Sequence, residues 1–221
     1  MTNSAAARTT RLALLFEGGL GLAALVIGWL VGHWPAVGID LGSSLPWPRV
    51  QSQFLAIGYG LCATVPLVAA LYLIDRFPCG PLKGLREIAD DLIPRMFRGA
   101  SVVQLAAVSL AAGIGEELLF RGLVQAGLSR LIGQPLGPWI ALAAASLIFG
   151  VCHWLNTTYA VAAALAGLYF GLIFWASGSL WTPLVAHALY DFLALLFLIR
   201  PNHLLRSTVE GLPEPPAAGS S

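Results

Sequence analysis

Apolar runs long enough to cross a lipid bilayer recur along this chain, and no other feature narrows its fold as much. A spanning helix needs roughly 20 mostly apolar residues. Such runs fall at about 12–31, 51–74, 100–131, 138–154, 158–175 and 180–199. The expected fold is all-α, a polytopic membrane helix bundle with about six transmembrane helices. Composition agrees. Of 221 residues, 57% are hydrophobic and only 10% charged. That excludes disorder and argues against an ordinary soluble domain.

The segments between the runs add detail. Residues 1–10 read as a mobile N-terminal tail, and 206–221, rich in Pro, Ala, Gly and Ser, as a disordered C-terminal tail. Residues 11–205 between them read as one membrane-embedded domain. Arg8 and Arg11 precede the first run, and no clear small-x-small cleavage site closes it, so it is expected to remain as an uncleaved membrane helix. A loop at 32–49 carries Trp34 and Trp47 at interfacial positions. Pro66 is expected to kink the second helix. Residues 75–99 form the one sizeable polar segment, and 85–97 within it reads as an additional, amphipathic interfacial helix. Five basic residues in that segment, two before the first helix and two after the last place both termini in the cytoplasm by the positive-inside rule. The expected location is a bacterial inner membrane.

Other classes drop out. The net charge of +1 carries no signal for nucleic acid. Three cysteines, Cys62, Cys79 and Cys152, are widely spaced with no C-x-x-C, so neither a disulfide framework nor a zinc ribbon is expected. Cys62 and Cys152 read as small buried apolar residues.

Within the third run stands Gly113-Ile114-Gly115-Glu116-Glu117-Leu118-Leu119-Phe120-Arg121. A charged side chain at bilayer depth costs about 2.5–3.5 kcal/mol on the insertion scale. Glu117 and Arg121 stand four apart on a helix and can pair, while Glu116 is turned about 100° away. A buried ion pair for helix packing accounts for Glu117 and Arg121 and leaves Glu116 unexplained. A carboxylate kept from water and from a counter-ion suits general base and acid work. The fourth run ends with Phe149 and His153; its neighbour Cys152 points elsewhere on a helix, which disfavours a Cys–His nucleophile. The last run carries His187 and Asp191, again four apart, where an aspartate can fix the histidine tautomer. Glu17, a further acid in the first helix, lies near its inner end and can reach the interface. His33 and His203 fall outside the runs and receive no role. The intramembrane zinc signature H-E-x-x-H and the serine elbow G-x-S-x-G do not occur.

Depth constrains these sets. Glu116 and His187 fall toward the outer half of the bilayer, whereas His153 comes late in an inward-running helix. The three can meet only if the fourth helix ends early, with Asn156, Thr157 and Thr158 lining a cavity open to the cytoplasm.

In order, E-E-x-x-x-R at Glu116, Glu117 and Arg121, F-x-x-x-H at Phe149 and His153, and H-x-x-x-N/D at His187 and Asp191 resemble the CPBP family, the CAAX proteases and bacteriocin-processing enzymes, also called the Abi family. The resemblance covers about residues 100–195. It implies a polytopic intramembrane endopeptidase acting on a membrane-associated peptide or protein. It further implies that Glu116 activates the attacking water with His153, that Glu117 and Arg121 support them, and that His187 and residue 191 stabilise the oxyanion. Asp191 departs from the asparagine of the prenyl-protein members, since an ionised carboxylate cannot donate to an oxyanion. Two cofactor states stay open: none, or a single divalent metal such as zinc on Glu116, His153 and His187. Two other classes compete with the protease: a proton- or ion-coupled transporter using the same acids as a relay, and a non-catalytic bacteriocin-immunity protein.

Overall fold

The computed structural model describes residues 2–39, 46–77, 80 and 82–199. Cys79, Arg200, His203, Arg206 and the expected tail at 206–221 lie outside the described residues. Those described form α1 (Thr2–Leu30), α2 (Trp47–Arg76), α3 (Leu82–Glu87), α4 (Ile93–Phe97), α5 (Val102–Glu117), α6 (Ala126–Ile132), α7 (Gly137–Cys152), α8 (Thr157–Ser177) and α9 (Trp181–Leu198). Two π-helical segments, Ile88–Leu92 and Leu118–Gln125, join α3 to α4 and α5 to α6. Among the described residues, five helical runs are long and apolar enough to span a bilayer, at Ala6–Leu30, Trp47–Arg76, Val102–Ile132, Thr157–Ser177 and Trp181–Leu198. The sixth expected run is the shorter α7, of 16 residues. The first helix begins well before the expected position 12. Residues 2–10, read from sequence as a tail, are helical, and Ala6 and Thr10 are buried.

Local chemistry sets several helix ends. Ser101 opens α5 with a capping box: its hydroxyl accepts from the Gln104 N–H at 3.2 Å, and the Gln104 side chain accepts from the Ser101 N–H at 2.8 Å. Asn156 caps α8, its side-chain oxygen accepting from the Tyr159 N–H at 2.8 Å. Its amide also donates to the Gly84 carbonyl at 3.2 Å and so ties α3 to α8. Gly178, at φ +64°, closes α8 in the left-handed conformation that only glycine adopts without cost.

Helix α5 lies at the centre, packed by α1 on one side and α9 on the other, while α2 covers α9 and α8 covers α7. Two glycines set the closeness. A Cβ at Gly113 would stand 2.8 Å from that of Ala188 on α9, and one at Gly115 would collide with the Glu17 carbonyl on α1. The molecule is polar inside and apolar outside. Glu116, Glu117, Arg121, Gln125 and His187 are buried, whereas Leu15, Phe16, Trp29, Val65, Val103 and Leu147 are more than half exposed. In water that surface would be unstable, and in lipid it is the expected one. Cys62 and Cys152, expected to be buried, also face outward; they sit on outer faces of α2 and α7, where a small thiol is tolerated in lipid.

The described part of the loop at 32–49 folds back on the bundle. The Leu180 N–H donates to the Val37 carbonyl at 2.9 Å. Two apolar clusters then bracket the polar interior. Phe97, Leu105 and Val108 form one, and Ala24, Leu118, Phe174 and Leu180 the other.

Candidate active site

The glutamate pair ends α5, and the helix widens immediately beyond it. In the π segment Leu118–Gln125 each turn takes in more residues than an α turn, and such insertions recur at functional sites. The widened segment buries Arg121 and Gln125 on the side facing α8, where the Arg121 Nη2 donates to the Gly167 carbonyl at 2.9 Å and the Gln125 Nε2 to the Gly171 carbonyl at 3.1 Å. His33, given no role from sequence, donates from Nε2 to the Gly122 carbonyl of the same segment at 2.8 Å.

Glu117 and Arg121 pair as expected, with Oε1 and Nη1 3.2 Å apart and side-chain exposures of 0% and 1% respectively. The arginine is also held by aromatic rings. Its guanidinium carbon lies 4.7 Å from the Phe149 ring centre and 5.3 Å from that of Phe170. Glu117 does a second job that the sequence did not suggest. Its Oε1 accepts from His187 Nδ1 at 2.8 Å. This bond, and not one to Asp191, sets the histidine's tautomer and aims Nε2 into the interior. Phe170 stacks on the His187 ring with centres 4.7 Å apart.

His153 is oriented in the same manner from another helix. A carbonyl can only accept, so its Nδ1 carries the proton that bonds the Phe149 oxygen at 2.8 Å. The Phe149 ring stacks on the imidazole, with centres 4.4 Å apart. The F-x-x-x-H spacing thus supplies both a stacking partner and a hydrogen bond one turn away. Helix α7 ends at Cys152, before His153, as the depth argument requires.

Glu116 stands where the two histidines point. Its Oε2 lies 3.7 Å from His153 Nε2 and 4.0 Å from His187 Nε2. That oxygen is buried and has no hydrogen-bond partner among the described residues. Asp191 Oδ2 approaches His187 Nε2 at 3.5 Å from the more open side. All six residues singled out from sequence therefore converge on one small volume. Three others belong with them. Gly167 and Phe170 carry no signal of their own in an apolar helix, and Glu17 was visible but placed at the interface.

A metal on Glu116, His153 and His187 was one open reading. Two ligands on one tetrahedral zinc, each about 2.1 Å from it, stand about 3.4 Å apart. Both distances from Glu116 are wider, and His187 Nε2 is already shared with Asp191. Among the described residues no group of three or more His, Cys, Asp or Glu is arranged to hold a metal ion. The residues as placed do not fit that ligand set, and no step is derived through a metal.

Residues 98–193 match the family model described as type II CAAX prenyl endopeptidase Rce1-like. That stretch holds all three motifs and supports the family resemblance read from them. No curated protein and no solved structure matches the chain.

Proposed function

We propose that this chain, Rce1-like over residues 98–193, is an intramembrane endopeptidase that hydrolyses a peptide bond with a water activated by glutamate and histidine. The observation that carries the reading is convergence. His153 Nε2 and His187 Nε2 both lie within 4.0 Å of Glu116 Oε2, although the three residues come from α5, α9 and the end of α7. A relay for a transported ion would string such groups along the membrane normal instead. An immunity protein without catalysis would have no use for two histidines whose tautomers are each fixed by a separate bond.

The chemistry follows from the hydrogen bonds. With its proton on Nδ1, neutral His153 presents a bare Nε2 beside the free Glu116 oxygen. A water between them can give a hydrogen bond to each, and Glu116 takes its proton as the oxygen attacks the peptide carbonyl. His187, held through Nδ1 by Glu117, presents Nε2 on the opposite side. When protonated it donates to the oxyanion. Asp191 lies beside that Nε2 and leaves donation to the imidazole, which answers its departure from asparagine. Glu116 then returns its proton to the leaving amine. The substrate is a membrane-associated peptide or protein, and the CAAX type of activity is what the family description supports. Residues 11–205 act as one catalytic domain in a bacterial inner membrane, with both termini in the cytoplasm.

Glu116→Gln keeps the size of the side chain and removes the base. Cleavage of a lipid-anchored reporter peptide by everted membrane vesicles, whose cytoplasmic face is outward, should fall about 100-fold or more, with the detergent-solubilised variant folding as the wild type does. Right-side-out vesicles should leave an added peptide intact. Full cleavage by the Gln variant would sink the assignment.

A further inference from the structure

One half-buried acid remains unused by the mechanism. Glu17 sits in α1, outside the matched stretch 98–193. From sequence it was expected to reach the membrane interface. The structure places it instead against the centre of the bundle, where its backbone carbonyl touches Gly115, the residue before Glu116. Its Oε2 is shielded from solvent and has no hydrogen-bond partner among the described residues. It lies within electrostatic range of Glu116, His187, Asp191 and His153.

Among the described residues, the surroundings of Glu17 offer several charges, and none of them bonds its Oε2. On α5 it meets Glu116, and on the π segment beyond lies Arg121, which Glu117 already holds. From α9 come His187 and Asp191, and from the end of α7 comes His153. Helix α4 also touches α1, but its only charge, Arg95, is exposed and paired with Asp91. A carboxyl so placed can change its protonation state without breaking any bond in the protein. Helix packing alone would be served as well by an apolar residue, at far lower cost in a membrane.

Hydrolysis of an amide requires two proton transfers. Water attacks the carbonyl carbon and gives its first proton to Glu116. The carbon–nitrogen bond then breaks, and that proton moves to the departing nitrogen. The new carboxylic acid still holds the second proton of the water, while the amine ends as an ammonium ion. Both protons of one water therefore reach nitrogen, and Glu116, emptied by the first transfer, must either make a second or leave it to another carboxyl. We propose that Glu17 is a fourth carboxyl of the site and carries the second proton, taking it from the newly formed carboxylic acid and releasing it to the amine.

This inference rests on the protease reading, and two measurements keep the two apart. In the reporter assay, Glu17→Gln should lower kcat about 100-fold with KM unchanged. Its pH–rate profile should lose one ionisation that Glu17→Asp retains. A space-filling role would move neither, because glutamine fills the same volume. If wild type cleaves, Glu116→Gln does not, and Glu17→Gln cleaves with wild-type kcat and profile, the proposal for Glu17 fails and the protease reading stands. The second measurement needs no substrate. The infrared carboxyl stretch that disappears in Glu17→Gln should shift its titration midpoint in Glu116→Gln. An unshifted midpoint would show that the two groups do not share a site and would overturn the proposal even if no peptide is cleaved.

Discussion

Arg121 is the residue on which the others depend. It neutralises Glu117, which in turn holds His187, and it lies against Phe149, which stacks on His153. One cation thus orients both histidines at one remove. Replacing it with an apolar side chain of similar length leaves Glu117 as a buried charge without its counter-ion. Breaking a buried pair from one side typically costs about 3–5 kcal/mol. Arg121→Met should lower the thermal unfolding temperature in detergent by several degrees and remove cleavage. The double variant with Glu117→Leu should regain stability while staying inactive. Equal stability of the single and double variants would contradict the argument. The pairing of Glu117 with Arg121 was legible from spacing alone. The bond from Glu117 to His187 was not, because spacing within one helix says nothing about a partner seventy residues away.

At the scale of elements, the site is assembled by close helix approach and by one irregularity. The glycines at 113 and 115 let α9 and α1 press on α5 just before the glutamates. Gly115→Ala should push the Glu17 carbonyl, and α1 with it, away from α5, cost about 1–3 kcal/mol and depress cleavage together with stability. Gly18→Ala on α1, where nothing lies within 4 Å, should instead gain up to about 1 kcal/mol from helix propensity. Unfolding both variants in the same detergent checks the contrast, and like-signed shifts would refute it. The apolar runs announced these helices well, since length and composition suffice for a spanning segment. The π segment was hidden inside one long apolar run. Its extra residue is accommodated by bonds to α8 and to His33, which are long-range and leave no periodic mark.

For the whole molecule, the polar interior and apolar exterior make lipid the solvent that selects this fold. The order of the helices was legible, as was the need for one of them to stop early. The inward placement of Glu17 was not, because a helix wheel cannot tell which neighbour covers each face. That early stop has a further consequence for the membrane itself. At 1.5 Å per residue, the 16 residues of α7 reach about 24 Å, against a hydrocarbon thickness of about 30 Å. A bilayer meets such a hydrophobic mismatch by thinning around the short helix. Cleavage should therefore decline steadily as the enzyme is reconstituted in lipids of longer acyl chain, and a rate indifferent to chain length would argue against it. The thinned collar would bring headgroups and water down to His153. A peptide bond could then be cut at the bottom of a dimple in the membrane surface, without being carried into the middle of the bilayer.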